Sequence, residues 1–301
     1  MRVIFSPKYT VSTPGHVFRS DKFARTLALL IRKKIVDAWD VKEPARPAYS
    51  ELALAHSRPW VEKARKFTFS KKDSARAQLE ITRAVVEAHL LNVGGTILAA
   101  EMALNTGLGL NCGGGAHHAF AGHGEGFCLF NDIAVAIKLF LKKGWIKRAL
   151  VIDLDAHQGN GTAAIFRNDK RVFTFSMHQD DLYPEKKEKS SLDVELPAGA
   201  GDAGYLGLLR KNLPRVIKMA RPDLAIYVAG ADVYKGDLLG GLKLSMEGIK
   251  KRDAFVFRQC RLRGVPVAAV LSGGYAKRFS DTVAIHAGTL AAGIREWRRP
   301  L

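Results

Sequence analysis

Residues 151–162 read VIDLDAHQGNGT. Asp153 and Asp155 alternate with Ile152 and Leu154 in an apolar run, and His157 continues the alternation. Successive side chains of a strand point to opposite faces, so these three polar groups project to one side. An unpaired carboxylate is expensive to bury in such a run. The three groups therefore need partners, and the rest of the chain has to supply them.

The stretch belongs to one of five short apolar runs with β character. These are LGLNC (108–112), RALVIDLD (148–155), VFTFSM (172–177), LAIYVAGA (224–231) and VPVAAVLS (265–272). RVIFS near residue 3 reads as a further short first strand. Helical patterns separate most of the runs, among them residues 130–144 and 201–220; residues 74–106 also read helical, with an interruption at Gly94-Gly95. Strands that are apolar almost throughout are buried on both faces. Alternation with helices predicts an α/β fold: a single domain over 1–301, with a mostly parallel central sheet and helices on both faces. The five runs exit into CGGGAHH, DLDAHQGNG, SMHQDD, AGAD and LSGGY. In an open parallel sheet the ligand crevice lies at the carboxyl ends of the strands. Five polar exits at one edge make one site.

Composition bounds the reading. The chain has 301 residues, of which 47% are apolar, enough for a large core. No apolar run reaches the roughly 18 residues of a membrane span, and MRVIFSPKYT reads as too short and too early broken for a signal peptide, so none is expected. Cys112, Cys128 and Cys260 form no CxxC pair, which predicts a reducing compartment and a soluble, cytoplasmic protein. Lys plus Arg number 47 and Asp plus Glu 29, a net charge of +18. That charge favours anionic surfaces. The basic residues are scattered in pairs, and no zinc finger, RNP-like pattern or basic zipper accompanies them, so no specific nucleic-acid role is expected. A solvated lysine-rich surface is the plainer reading.

Asp155, His157 and Asp232, at two of the strand exits, form a mixed oxygen and nitrogen ligand set. Three protein ligands leave room for water and substrate, as catalytic zinc sites require; ferrous iron suits the same set. Taken alone, Asp232 can be read as a helix N-cap and Asp155-x-His157 as a strand-end turn. Their shared edge favours the metal. His117 and His118 in GGGAHH suit proton transfer near neutrality, and Gly113 to Gly115 let the backbone approach a metal or substrate. Tyr275 in LSGGY offers a phenol to an oxyanion. Each of these, taken singly, is weak.

Together GGGAHH, GEGFCLFNDIAVAI, VIDLDAHQGNGT, AGADVYKGDLLGGLKLS and LSGGYAKR resemble a known family over nearly the whole chain. The chain is similar to zinc-dependent histone deacetylases of the arginase/deacetylase fold, and most similar to class IV. The resemblance implies that Asp155, His157 and Asp232 are the zinc ligands. It implies that His117 and His118 form the histidine pair beside the reacting water, with His118 as general base. Tyr275 would polarise the scissile carbonyl, and Asp153 would be the buried partner of His117. The carbonyls of Asp153, Asp155, His157 and Met177, with the side chains of Asp153 and Ser176, resemble the family's inner potassium site. Gly126 and Phe127 resemble the floor and wall of a narrow substrate tunnel, and Tyr183 its opposite wall. Asn160 stands where class I members carry aspartate; class II and IV members carry asparagine. An amide accepts from His118 and holds its tautomer without adding charge, which predicts a lower His118 pKa.

The implied activity is metal-dependent removal of acetyl or longer fatty acyl groups from lysine side chains. The alternative substrate is an acetylpolyamine or another small acylated amine. The charge of +18 slows encounter with polycations, and Asp180-Asp181 is the one local acidic candidate to receive them. A binuclear manganese site of arginase type needs further carboxylates where Gln158 and Asn160 stand, and gives Tyr275 no role. Non-catalytic relatives lose a ligand or the tyrosine, and this chain retains both.

Overall fold

The computed structural model describes residues 2–299; Met1, Pro300 and Leu301 of the expected 1–301 domain lie outside the described residues. The strands are β1 (Val3–Ile4), β2 (Val41–Lys42), β3 (Leu108–Leu110), β4 (Ala149–Asp153), β5 (Val172–Gln179), β6 (Leu192–Leu196), β7 (Leu224–Val228) and β8 (Val267–Val270). The helices are α1 (Asp21–Arg32), α2 (Tyr49–Leu52), α3 (Arg58–Lys66), α4 (Lys71–Ala77), α5 (Arg83–Thr106), α6 (Asp132–Lys142), α7 (Asn160–Phe166), α8 (Asp202–Ala220), α9 (Met246–Leu262) and α10 (Phe279–Arg298).

Six strands form one parallel sheet in the order β3-β8-β7-β4-β5-β6. Strand alternation divides its side chains between two cores. Leu150, Ile152, Phe175 and Tyr227 pack with α1, α8, α9 and α10. Val151, Val172, Ile226 and Val270 pack with α3, α5 and α6 on the other face. The predicted α/β architecture, parallel sheet and two-sided helical cover are therefore observed. From β4 the chain moves outward to β5 and β6, then returns to place β7 on the other side of β4. The β4/β7 junction is thus a topological switch point, where the crevice of an open α/β sheet forms.

Four details refine or differ from the sequence reading. First, the expected first strand forms as β1; it pairs with β2, and reaches the chain just after β3 through Cys112 N–H donating to Ile4 O at 2.8 Å. Second, Asp155 and His157 lie beyond β4, in the turn before α7, and not within the strand. Third, β6 reads LDVEL and escapes an apolar search, because edge strands carry charge. Fourth, α5 runs unbroken through Gly94-Gly95, and the break falls at residues 78–82 instead. Gln78 is left-handed at φ 53°, and Thr82 caps α5 by accepting from Val85 N–H. Gly94 is there for close approach: a Cβ would collide with the carbonyl of Ala45. Gly94→Ala is accordingly expected to destabilise the protein by about 1–3 kcal/mol in urea unfolding through overpacking, although alanine is the better helix former. Unchanged or greater stability would show that the Ala45 segment yields.

Among the described residues, no helix is long and apolar enough to cross a membrane.

Candidate active site

The switch point brings together three candidate ligands from two strand exits. Asp155 and His157 follow β4, and Asp232 follows β7. All three are buried, and one donor atom from each lies within 4.8 Å of the others. His157 Nδ1 is 3.1 Å from Asp155 Oδ1 and 3.0 Å from Asp232 Oδ2. Backbone N–H groups hold the carboxylates in place: Gly273 donates to Asp155 Oδ2 (2.9 Å), His157 to Asp155 Oδ1 (3.0 Å) and Ala156 to Asp232 Oδ1 (2.9 Å). From below, the fully buried Arg252 of α9 donates to the carbonyls of Leu154 (3.1 Å) and Gly230 (2.7 Å), stitching the two exits together.

This cluster calls for positive charge. Burial opposes a proton on His157, yet hydrogen bonds to Asp155 and Asp232 raise its pKa to about 10. Asp232 is raised, first by burial and then by the neighbouring Asp155 charge. Two buried carboxylates converging on one imidazole nitrogen fit a divalent ion with mixed oxygen and nitrogen ligands, zinc or ferrous iron.

The histidine pair lies beside this cluster. The His117 and His118 ring centroids are 4.1 Å apart, and the His118 and His157 centroids 6.0 Å. His117 Nδ1–H donates to Asp153 Oδ2 at 2.8 Å, and Asp153 Oδ1 also accepts from Asp155 N–H at 3.2 Å. Asp153, at the end of β4, thus has two of the partners its burial requires. Burial opposes protonation of His117, but Asp153 and Asp155 raise its pKa to about 9. His118 Nδ1 meets Asn160 Oδ1 at 2.8 Å, and its pKa lies well below the ordinary histidine value. The direction agrees with the sequence expectation, but the leading cause is burial, followed by the charges of His117 and His157. The Asn160 hydrogen bond acts in the opposite sense.

One cavity of about 280 Å³ joins these groups to the predicted tunnel walls. Phe127, Tyr183, Tyr275 and Gly126 all line it. The Tyr183 ring stands edge-on to His118, with centroids 5.1 Å apart, and Phe127 edge-on to Tyr275 at 5.9 Å. Gly126 packs against the His118 ring so closely that a Cβ would overlap it. Phe127 is held in a left-handed conformation (φ 65°), costly for a bulky residue. Its N–H donates to Ala77 O at 2.8 Å, and Glu125 and Cys128 close the turn with two 2.9 Å backbone bonds. Ser176 and Met177 of β5 lie beside β4, with Asp153 opposite Ser176 in the ladder. Ser176 Oγ and His178 Nδ1 are hydrogen-bonded at 2.8 Å.

Three supporting carboxylates were not singled out in the sequence. Asp132, at the start of α6, accepts from the N–H groups of Gly115 (2.9 Å) and Ala116 (2.7 Å) and so shapes the loop that presents His117 and His118. Asp237 accepts from the N–H of Tyr275 at 2.6 Å. Glu125 accepts from Asn160 and Tyr183. Asp132 and Glu125 lie inside the quoted GEGFCLFND motif and Asp237 inside YKGDLLGG, but their partners are distant in sequence and carry no periodic signal.

Comparison with known proteins adds the following. Residues 16–290 match the sequence model of the histone deacetylase domain. An uncharacterised protein of Picosynechococcus sp. is 41% identical over 285 residues, covering 94% of this chain and 95% of its own length. Histone deacetylase 2 of Arabidopsis thaliana is 33% identical, with 94% of this chain and 76% of its own length covered. A probable deacetylase of Methanothermobacter thermautotrophicus is 32% identical, with 91% and 86% covered. The crystal structure of the HDA15 HD domain superposes with a TM-score of 0.78 at 24% identity, over 97% of this chain and 88% of that one, a likeness of fold.

Proposed function

The chain belongs to the histone deacetylase family, and on that premise we propose that it hydrolyses acyl-lysine amides at a zinc ion held by Asp155, His157 and Asp232. One observation carries this reading: the buried Asp155–His157–Asp232 cluster lines the same cavity as His118 and Tyr275. The ion supplies Lewis acidity toward the amide carbonyl and the attacking water. The remaining work falls to side chains of the chain itself. His118, neutral because burial disfavours its charged form, takes the water proton at Nε2 and later delivers a proton to the leaving amine. The His117–Asp153 pair keeps a second proton beside the reacting centre. Tyr275 donates to the developing oxyanion. Burial and the charges of Asp155 and Asp232 keep its phenol pKa well above the ordinary value, so the donor proton is retained.

Potassium would sit among the carbonyls of Asp153, Asp155, His157 and Met177 and the side chains of Asp153 and Ser176. The pairing of Asp153 with Ser176 supports that grouping. The quoted motifs support class IV, with Asn160 compatible with class IV as with class II, and three free, buried cysteines support a cytoplasmic setting.

The cavity is also lined by the small Ala116 and by Ala88, His89 and Asn92 of α5, room that supports acyl groups longer than acetyl. Asp180 and Asp181 are not among the described residues lining it, so the polyamine alternative gains no support. The test is a lysine-peptide panel from acetyl to myristoyl, with free acetylpolyamines beside it. Acyl-lysine hydrolysis is expected across several chain lengths, lost with a chelator and restored by zinc. Failure on every acyl-lysine peptide, or full activity after metal removal verified by elemental analysis, would overturn the proposal.

A further inference from the structure

Glu125 lies behind the histidine pair. Its Oε1 accepts from Asn160 Nδ2 at 2.7 Å and from the Tyr183 hydroxyl at 2.9 Å, and its Oε2 is 3.3 Å from His123 Nε2. Its side chain is 19% exposed. Burial alone would raise its pKa, but hydrogen bonds from His123, Asn160 and Tyr183 lower it. It is therefore an ionised carboxylate, a group that only accepts.

That property matters because an asparagine amide is nearly symmetric in shape. Facing a neutral imidazole, Asn160 has two satisfying arrangements. Its oxygen accepts from Nδ1–H, or its NH2 donates to an unprotonated Nδ1. The first leaves the lone pair of His118 at Nε2, where a base can use it. The second places the proton on Nε2 and removes the base. Hydrogen bonding at one ring nitrogen decides which nitrogen carries the proton. An aspartate at position 160 would accept by necessity. An asparagine needs a director.

We infer that Glu125 is that director: a positioning residue that, by accepting from the Asn160 NH2, turns the Asn160 oxygen to His118 and fixes the Nδ1–H tautomer of the base. The inference rests on the reading of His118 as the base. Through Tyr183, the same carboxylate also ties the tunnel wall to this relay.

The test uses the zinc-loaded enzyme and reads the tautomer directly, by two-bond N–H correlation spectra of ring-labelled histidine. The native enzyme is expected to show His118 as Nδ1–H. Glu125→Ala is expected to shift population toward Nε2–H and to lower kcat on the order of tenfold, the factor that one net hydrogen bond supplies. Glu125→Gln keeps the shape but not the acceptor-only character, since its amide can donate to Asn160 as well as accept from it, so it is expected to give a mixed His118 tautomer, between the native enzyme and Glu125→Ala. Tyr183→Phe removes the other donor to Oε1 and is expected to leave the tautomer native.

The decisive arm is the pair with Asn160→Asp. In Asn160→Asp alone, two carboxylates face each other and kcat falls, since like charges repel. Adding Glu125→Ala to it is expected to raise kcat, reversing the sign of the Glu125→Ala effect. An unchanged His118 tautomer in Glu125→Ala, or additive losses in the double variant, would overturn the inference and leave the deacylase reading standing. Full turnover in His118→Ala would instead overturn the base assignment, whatever the tautomer spectra show.

Discussion

Asp232→Ala is expected to fold, to bind no zinc and to lose turnover on the order of a thousandfold. Two ligands, Asp155 and His157, remain, fewer than the three protein ligands of a catalytic zinc site. The Lewis acid contributes several kcal/mol to the barrier reduction, which sets the scale of the loss. Removing Asp232 has two opposed effects on the metal-free protein: it takes away a buried carboxylate beside Asp155, but it leaves Ala156 N–H without its acceptor and removes one of the partners that raise the His157 pKa. The folded-state pKa of Asp232 is raised, first by burial and then by Asp155. A raised carboxyl binds its proton more tightly when folded, so its ionisation costs stability as pH rises above the unfolded carboxylate range. Zinc is expected to raise the melting temperature of the native chain by mass action and to leave the variant unmoved. Full metal occupancy of the variant by elemental analysis would refute the ligand assignment.

The legible part of the site was the part built on strand exits. Asp155, His157, Asp232 and Tyr275 each follow an apolar run, and a parallel sheet delivers such exits to one edge whatever the helices between them do. The position of Asp232 beside Asp155 came from strand order, with β7 next to β4, which no local pattern states. The helix boundaries around α5 were misread because Gly94-Gly95 resembles a break locally. Its meaning, contact with the Ala45 carbonyl, depends on a segment about fifty residues away. Glu125 and Asp237 were illegible for the same reason. A lone acidic residue in a loop has no period, and its role appears only when a distant amide or backbone N–H arrives to meet it. Asn160 is readable only through the family resemblance, which sets it against the aspartate of class I members.

Tyr275→Phe is expected to keep full metal content and native stability while lowering kcat about a hundredfold, the scale of one lost oxyanion donor. The substitution isolates the hydroxyl because the rest of the residue is held independently. The Tyr275 N–H donates to Asp237 Oδ2 at 2.6 Å, and the next N–H, that of Ala276, to Thr282 Oγ1 at 3.0 Å. The ring meets Phe127 edge-on, and the Lys22 ammonium lies 5.0 Å from its centroid. Phenylalanine preserves all of these contacts. A donor that acts on the oxyanion more than on the ground-state carbonyl stabilises the transition state selectively, so kcat falls with kcat/KM while KM stays within about twofold. A loss confined to KM would make Tyr275 a binding residue of the tunnel, and near-normal kcat would remove it from the chemistry altogether.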